Sequence, residues 1–165
     1  MDKKLVDALN EQFREELSSG YLYLGMAACM EAKNWIGTAT WFKQQANEEA
    51  MHAMKIYTYL FERGEQAVLS TIDAPKQDFA SILEAFEATL KHEQYVTTRI
   101  HKLVKLARDV DDLPTENFLQ WYVSEQVEEE AAPAAVIDRL KMVGESPQIL
   151  FMLDRELANR QQAPE

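Results

Sequence analysis

Four long stretches of this chain space apolar or small residues at steps of three and four, and each carries a glutamate where the pattern asks for leucine or isoleucine. Leu9, Phe13, Gly20, Ala27 and Met30 make the first series, with Glu16 and Tyr23 filling its gaps. Phe42, Ala46, Ala53, Ile56 and Leu60 make the second, around Glu49. Ile82, Phe86, Thr89, Val96, Ile100, Leu103 and Ala107 make the third, around Glu93. Phe118, Tyr122, Glu125, Ala132, Val136 and Val143 make the fourth, around Glu129. Such a period is the inner stripe of a bundle helix, and 5 Gly and 5 Pro in 165 residues leave little to interrupt it.

The pattern predicts an all-α, single-domain chain over residues 1–165, with helices at about 3–33, 38–63, 78–107 and 115–143. Short joints near Asn34–Gly37 and Asp109–Pro114 make the helices on either side antiparallel neighbours. The connection from Gly64 to Asp78, with Pro75 inside it, is long enough to cross the whole bundle and let the second and third helices run parallel. Ser146-Pro147 reads as a cap and first-turn proline opening a fifth helix, over about 147–159. Its run Ile149-Leu150-Phe151-Met152-Leu153 is apolar on every side, which fits either a subunit interface or a return onto the bundle.

Acidic residues outnumber basic ones by 28 to 17, for a net charge of −11, which disfavours nucleic acid or an anionic membrane as partner and favours cations. Cys29 is the one cysteine, so neither an internal disulfide nor a four-cysteine site can form, and it is expected as a small buried side chain. Met1-Asp2-Lys3-Lys4 has the charge of a signal peptide without an apolar run behind it, and no stretch reaches the ~20 apolar residues of a membrane span. A cytoplasmic protein is the expectation. Asp111, Asp112 and Glu145 read as solvated surface acids.

The four seam glutamates carry the chemistry. A buried, unpaired carboxylate is costly to desolvate and tends to take up a proton, but two divalent ions would balance four such acids. Glu49 and His52 lie three apart on one helix face and can share an ion. Glu16 to Glu49 is 33 residues, as is Glu93 to Gln126, so the chain reads as two helix pairs, each offering a Glu and then a two-residue set: Glu49-x-x-His52 in the first, Gln126-x-x-Glu129 in the second.

The run Asn117-Phe118-Leu119-Gln120-Trp121-Tyr122-Val123-Ser124-Glu125-Gln126, followed by Glu128-Glu129-Glu130, resembles prokaryotic non-haem ferritin. So do Asn10-Glu11-Gln12 ahead of Glu16, Glu48-Glu49-Ala50-Met51-His52, and Lys91-His92-Glu93-Gln94. The resemblance spans essentially the whole chain. It implies a ferritin-like four-helix bundle with a terminal fifth helix, assembled into a hollow shell of 24 subunits that oxidises Fe(II), with O2 or H2O2 as oxidant, and stores it as ferric mineral.

Carried over residue by residue, the resemblance gives Glu16, Glu49 and His52 to one iron. Glu49 bridges to a second iron completed by Glu93 and Glu129, with Gln126 as a polar neighbour. A third, weaker site falls on Glu48, Glu125 and Glu128, shared with Glu129, and Tyr23 matches the family's tyrosine beside the centre. Bacterioferritin has a second Glu-x-x-His and a haem-ligating methionine directly after the first motif's glutamate; here Gln126-x-x-Glu129 and Ala50 stand instead, so no haem is expected and Met51 and Met54 read as core filler. Pro133 is expected to kink the fourth helix one turn past Glu129.

Two other readings compete. One is a di-iron oxidase or peroxidase such as rubrerythrin, which the lack of Cys-x-x-Cys disfavours; the other is a catalytically silent shell. A miniature ferritin of the DNA-protecting kind, with ligands placed between subunits, fits the within-chain set poorly.

Overall fold

In the computed structural model, which describes residues 1–144 and 146–159, α1 (Lys3–Ala32) opens on Asp2, whose side chain accepts from the amide of Lys4 at 2.8 Å. Two residues past its end, Asn34 takes the left-handed region at φ 61°, and α2 (Ile36–Glu62) turns back against α1. The predicted start of the third helix at 78 moves to Ser81. Its hydroxyl accepts from the Glu84 amide at 3.1 Å while Glu84 reaches back to the amide of Ala80 at 2.6 Å, so α3 covers Ile82–Asp109. A second left-handed residue, Asp111 at φ 54°, leads to Asp112, which caps the Thr115 amide at 3.1 Å and starts α4 (Leu113–Val143) with Pro114 in its first turn. The short α5 spans Pro147–Leu157. Ser146 sits at its cap position, but its hydroxyl bonds no helix amide.

Hydrogen bonds fix the topology. Gln12–Arg99 and Tyr23–Glu93 run α1 and α3 in opposite directions, and Gln45–Glu129 with Tyr59–Thr115 do the same for α2 and α4. Gln126–Glu93 and Arg108–Glu116 set α3 antiparallel to α4, so α2 and α3 are parallel, as the long connection implied. That connection is strapped along α1. Glu65 bonds the amino group of Met1, Asn10 bonds Gln66 and Val68, and Pro75 and Lys76 lie over Gly25, where a Cβ would meet the Lys76 carbonyl at 3.2 Å.

The fifth helix returns to the bundle with one face. Leu153 and Leu157 are buried, and the carboxylate of Asp154 accepts from the amides of Gly37 and Thr38 and from the Thr38 hydroxyl at 2.7–3.0 Å. Asp154 thereby caps α2, whose own cap residue, Trp35, makes no side-chain bond. A Cβ on Gly37 would lie 1.7 Å from the Asp154 carbonyl, so only glycine allows this approach. The opposite face keeps Phe151 58% and Met152 68% exposed.

On α4, Tyr122, Glu129 and Val136 are buried as expected, and the rest of the stripe lies one residue round from its expected position. Leu119, Tyr122, Gln126, Glu129, Pro133, Val136 and Leu140 are buried, while Phe118, Glu125, Ala132 and Val143 stand on its shoulder. Both 118 and 119 are apolar and both 125 and 126 polar, so the period alone could be read on either face. Pro133 leaves α4 one continuous helix and is itself buried. Met51 and Met54, expected as core filler, are 44% and 51% exposed and lie in a groove beside Phe118. Cys29 is buried. Asp112 departs from its expected place on the solvated surface, since Arg63 grips it at 2.9 and 3.0 Å and holds its carboxyl down at about 2. Glu145 lies outside the described residues. Among the described residues, no helix is long and apolar enough to cross a membrane.

The core is in two parts. Leu5, Leu9, Phe13, Ile56, Leu60, Ile100 and Leu119 fill one end of the bundle, and Met26, Met30, Phe42, Phe86, Ile137 and Leu140 the other. Between them lies a buried polar layer.

Candidate metal centre

That layer contains the four seam glutamates, one from each of α1 to α4. Glu16 and Glu93 are 1% exposed, Glu49 2% and Glu129 5%. His52, one turn on from Glu49, is buried with them, its Nδ1 3.6 Å from Glu49 Oε2. Two sets of ligand atoms converge within 4.8 Å of one another, Glu16/Glu49/His52 and Glu49/Glu93/Glu129, and Glu49 belongs to both. A third set, His52/Glu125/Glu129, opens toward solvent through half-buried Glu125, whose Oε1 lies 3.9 Å from His52 Nε2. Glu48, half-buried, and Glu128, exposed, fall outside all three sets.

Among the described residues no buried lysine or arginine offsets these acids. Protons partly do. Burial, followed by the charges of Glu93, Glu16 and Glu129 and a hydrogen bond with Glu16, pushes the Glu49 carboxyl well above the usual carboxylate range. Burial also raises Glu93, to about 7, against the opposing pull of hydrogen bonds from Tyr23 and Gln126. Tyr23 is fully buried and donates its hydroxyl to Glu93; desolvation and the surrounding carboxylates keep it a neutral phenol. Gln126 donates to Glu93 Oε2 at 3.2 Å, so both oxygens of Glu93 already face a donor.

The periodicity did not bring out the polar residues behind the acids. Gln12 donates to Glu16 Oε1 at 2.9 Å, Gln45 donates to Glu129 Oε2 at 2.5 Å, and Tyr122 donates to the His52 carbonyl at 2.7 Å. One signal was present: Gln12 and Gln45 are also 33 residues apart, each four before a seam glutamate. The edge of Trp121 packs against the His52 ring with centroids 5.2 Å apart, and the ammonium of Lys55 covers the indole at 3.6 Å. His92 bonds the Ser19 hydroxyl at 2.8 Å, and His101 is exposed; neither enters a ligand set. Glu130 accepts from the Thr97 hydroxyl at 2.5 Å and enters no ligand set.

Chemically, this is a pair of adjoining oxygen-rich sites with one imidazole, joined by a shared carboxylate. Such a donor set suits divalent ions of the first transition row, iron among them.

Comparison with known proteins agrees with this geometry. The ferritin-like domain family matches residues 6–143. Bacterial non-heme ferritins of Staphylococcus saprophyticus and Staphylococcus epidermidis are 44% and 42% identical over 160 residues, covering 97% of this chain and 96% of theirs. The open pore ferritin of the hyperthermophilic archaeon Archaeoglobus fulgidus superposes with a TM-score of 0.96 at 43% identity, over 98% of each chain. A bundle with this topology, its midsection lined by these acids, and relatives this similar over nearly the whole length make the chain a member of the ferritin family.

Proposed function

We propose that the chain is an iron-storage ferroxidase: it oxidises Fe(II) to Fe(III) at the buried centre and delivers the product to a ferric mineral inside a hollow shell of its own copies. The observation that carries this reading is the pair of buried ligand sets that share Glu49. Glu16, Glu49 and His52 hold one ferrous ion, and Glu49, Glu93 and Glu129 hold the second, with Gln126 and Tyr23 beside it. Iron here is substrate and cargo. Two ferrous ions each give up one electron, and O2 accepting both with two protons leaves as H2O2; where H2O2 is the oxidant, the same two electrons and two protons yield two waters.

The second set lacks an imidazole, and Glu93 and Glu129 are already engaged by Tyr23, Gln126 and Gln45, so its ion is held more loosely. Loose retention lets the oxidised product leave. Glu125, aligned with His52 and Glu129, is the nearest continuation of the path toward solvent and the best-supported member of a third site; Glu48 and Glu128 belong to that site only by resemblance. The exposed apolar face of α5 supports assembly.

Anaerobic Fe(II) titration tests the centre. Two ions per chain with unequal affinities are expected, with fast oxidation once air is admitted and loss of that fast phase in Glu49→Ala and Glu129→Ala. Two equal, tight sites, or uptake that stops at two ions per chain in air, would instead favour a di-iron oxidase on the same bundle. Oxidation unaffected by either substitution would leave a silent shell.

A further inference from the structure

We propose that Arg99 is a positioning residue for this centre: acting through Gln12, it holds the Glu16 carboxylate in the orientation that receives the tighter ion. The inference rests on the reading of Glu16, Glu49 and His52 as an ion site. Arg99 Nε donates to Gln12 Oε1 at 3.0 Å, and Gln12, fully buried, donates from Nε2 to Glu16 Oε1 at 2.9 Å. An amide side chain can usually flip; this one cannot. A guanidinium has only donors and a carboxylate only acceptors, so reversing Gln12 would set donor against donor and oxygen against oxygen.

Arg99 is itself fixed. It donates to the Tyr95 hydroxyl at 3.3 Å, Tyr95 donates onward to Glu15 Oε2 at 3.2 Å, and Glu11 lies 3.9 Å from the guanidinium. Every bond in the chain therefore has one allowed sense, running from a half-buried cation on α3 to a carboxylate on α1. The consequence is local: Oε1 of Glu16 is held by Gln12, in a carboxylate that places an oxygen within 4.8 Å of the ligand atoms of Glu49 and His52. A misoriented Glu16 costs the tighter ion one of its three ligands and leaves the Glu49/Glu93/Glu129 set untouched. Supporting bonds of this kind are worth roughly 10–100-fold in metal affinity.

The test uses the assembled, metal-free protein titrated with Zn(II), and with Co(II), whose visible spectrum reports ligand number. Arg99→Met keeps the aliphatic stem and removes the donors. It is expected to weaken the tighter ion about tenfold or more, to alter the Co(II) spectrum of that ion, and to leave the weaker ion unchanged, with a fall of about 2–4 °C at most in the melting temperature of the metal-free shell from the donor lost to buried Gln12. Gln12→Met should match it, the double variant should lose no more than either single one, and Arg99→Lys should recover part of the affinity. If Arg99→Met binds both ions as the unaltered protein does, or if both affinities fall together with thermal stability, Arg99 is a packing residue and the proposal is overturned. An unaltered chain that takes up neither ion overturns the site reading and this proposal together, whereas two ions bound beside an unaffected Arg99→Met chain overturn this proposal alone.

Discussion

At the residue scale, Glu49 carries a conflict between stability and function. It stands in both ligand sets, so with no ion present it can ionise only against burial and the repulsion of Glu93, Glu16 and Glu129. Glu49→Gln removes that repulsion while keeping the shape. It should raise the melting temperature of the metal-free protein by about 3 °C, for about 1 kcal/mol, and abolish binding of a second ion; calorimetry with and without Zn(II) reads both. The sign of the pH dependence follows from the same groups. Their carboxyls are raised in the folded chain, Glu93 to about 7, so the native state holds protons that the unfolded state has already released. The metal-free protein therefore loses stability as pH climbs from the ordinary carboxylate range through about 7, and ion binding displaces those protons. Zn(II) titrated calorimetrically at pH 6.5, in buffers of different ionisation enthalpy, should release more protons per chain than at pH 8.5; equal release at both would contradict the raised carboxyls.

At the element scale, the weak point is the start of α2, which borrows its cap from Asp154, 116 residues away from Thr38. Asp154→Ala leaves two backbone amides and a hydroxyl buried without their acceptor. It should cost about 1–2 kcal/mol and release α5, seen as faster hydrogen exchange over 147–157 and 36–40 with none at the metal centre. This cap also marks the limit of what the sequence discloses. Glu16, Glu49, Glu93 and Glu129 were legible because a helix turns any misplaced acid into a break in a three-four rhythm, and Tyr23 was legible because it continues that rhythm. Asp154 and Arg99 were not, because their partners lie on other helices and in the sequence they look like any solvated polar residue; Gln45 left only its 33-residue spacing from Gln12. Part of the α4 stripe was misplaced by one position for a related reason: paired apolar residues at 118–119 and paired polar ones at 125–126 leave the period without a preferred face there.

For the whole molecule, the described apolar surface asks for neighbours. Phe151 and Met152 on α5, and Val68 and Leu69 on the strap along α1, remain exposed in the single chain, at two well-separated places as a closed shell requires. Native mass spectrometry is expected to find a particle of about 456 kDa, 24 copies of a 19.0 kDa chain, and Phe151→Glu is expected to shift it to smaller species with the helical content of the chain retained. A monomer from the unaltered protein would remove the storage reading. The divided core has its own consequence for the proposed storage of iron. Because oily packing closes the bundle above and below the acids, each end is anchored independently of what occupies the middle. On the proposed function, iron would come and go as through the waist of an hourglass gripped at both bulbs, changing the charge at the neck without unseating the glass.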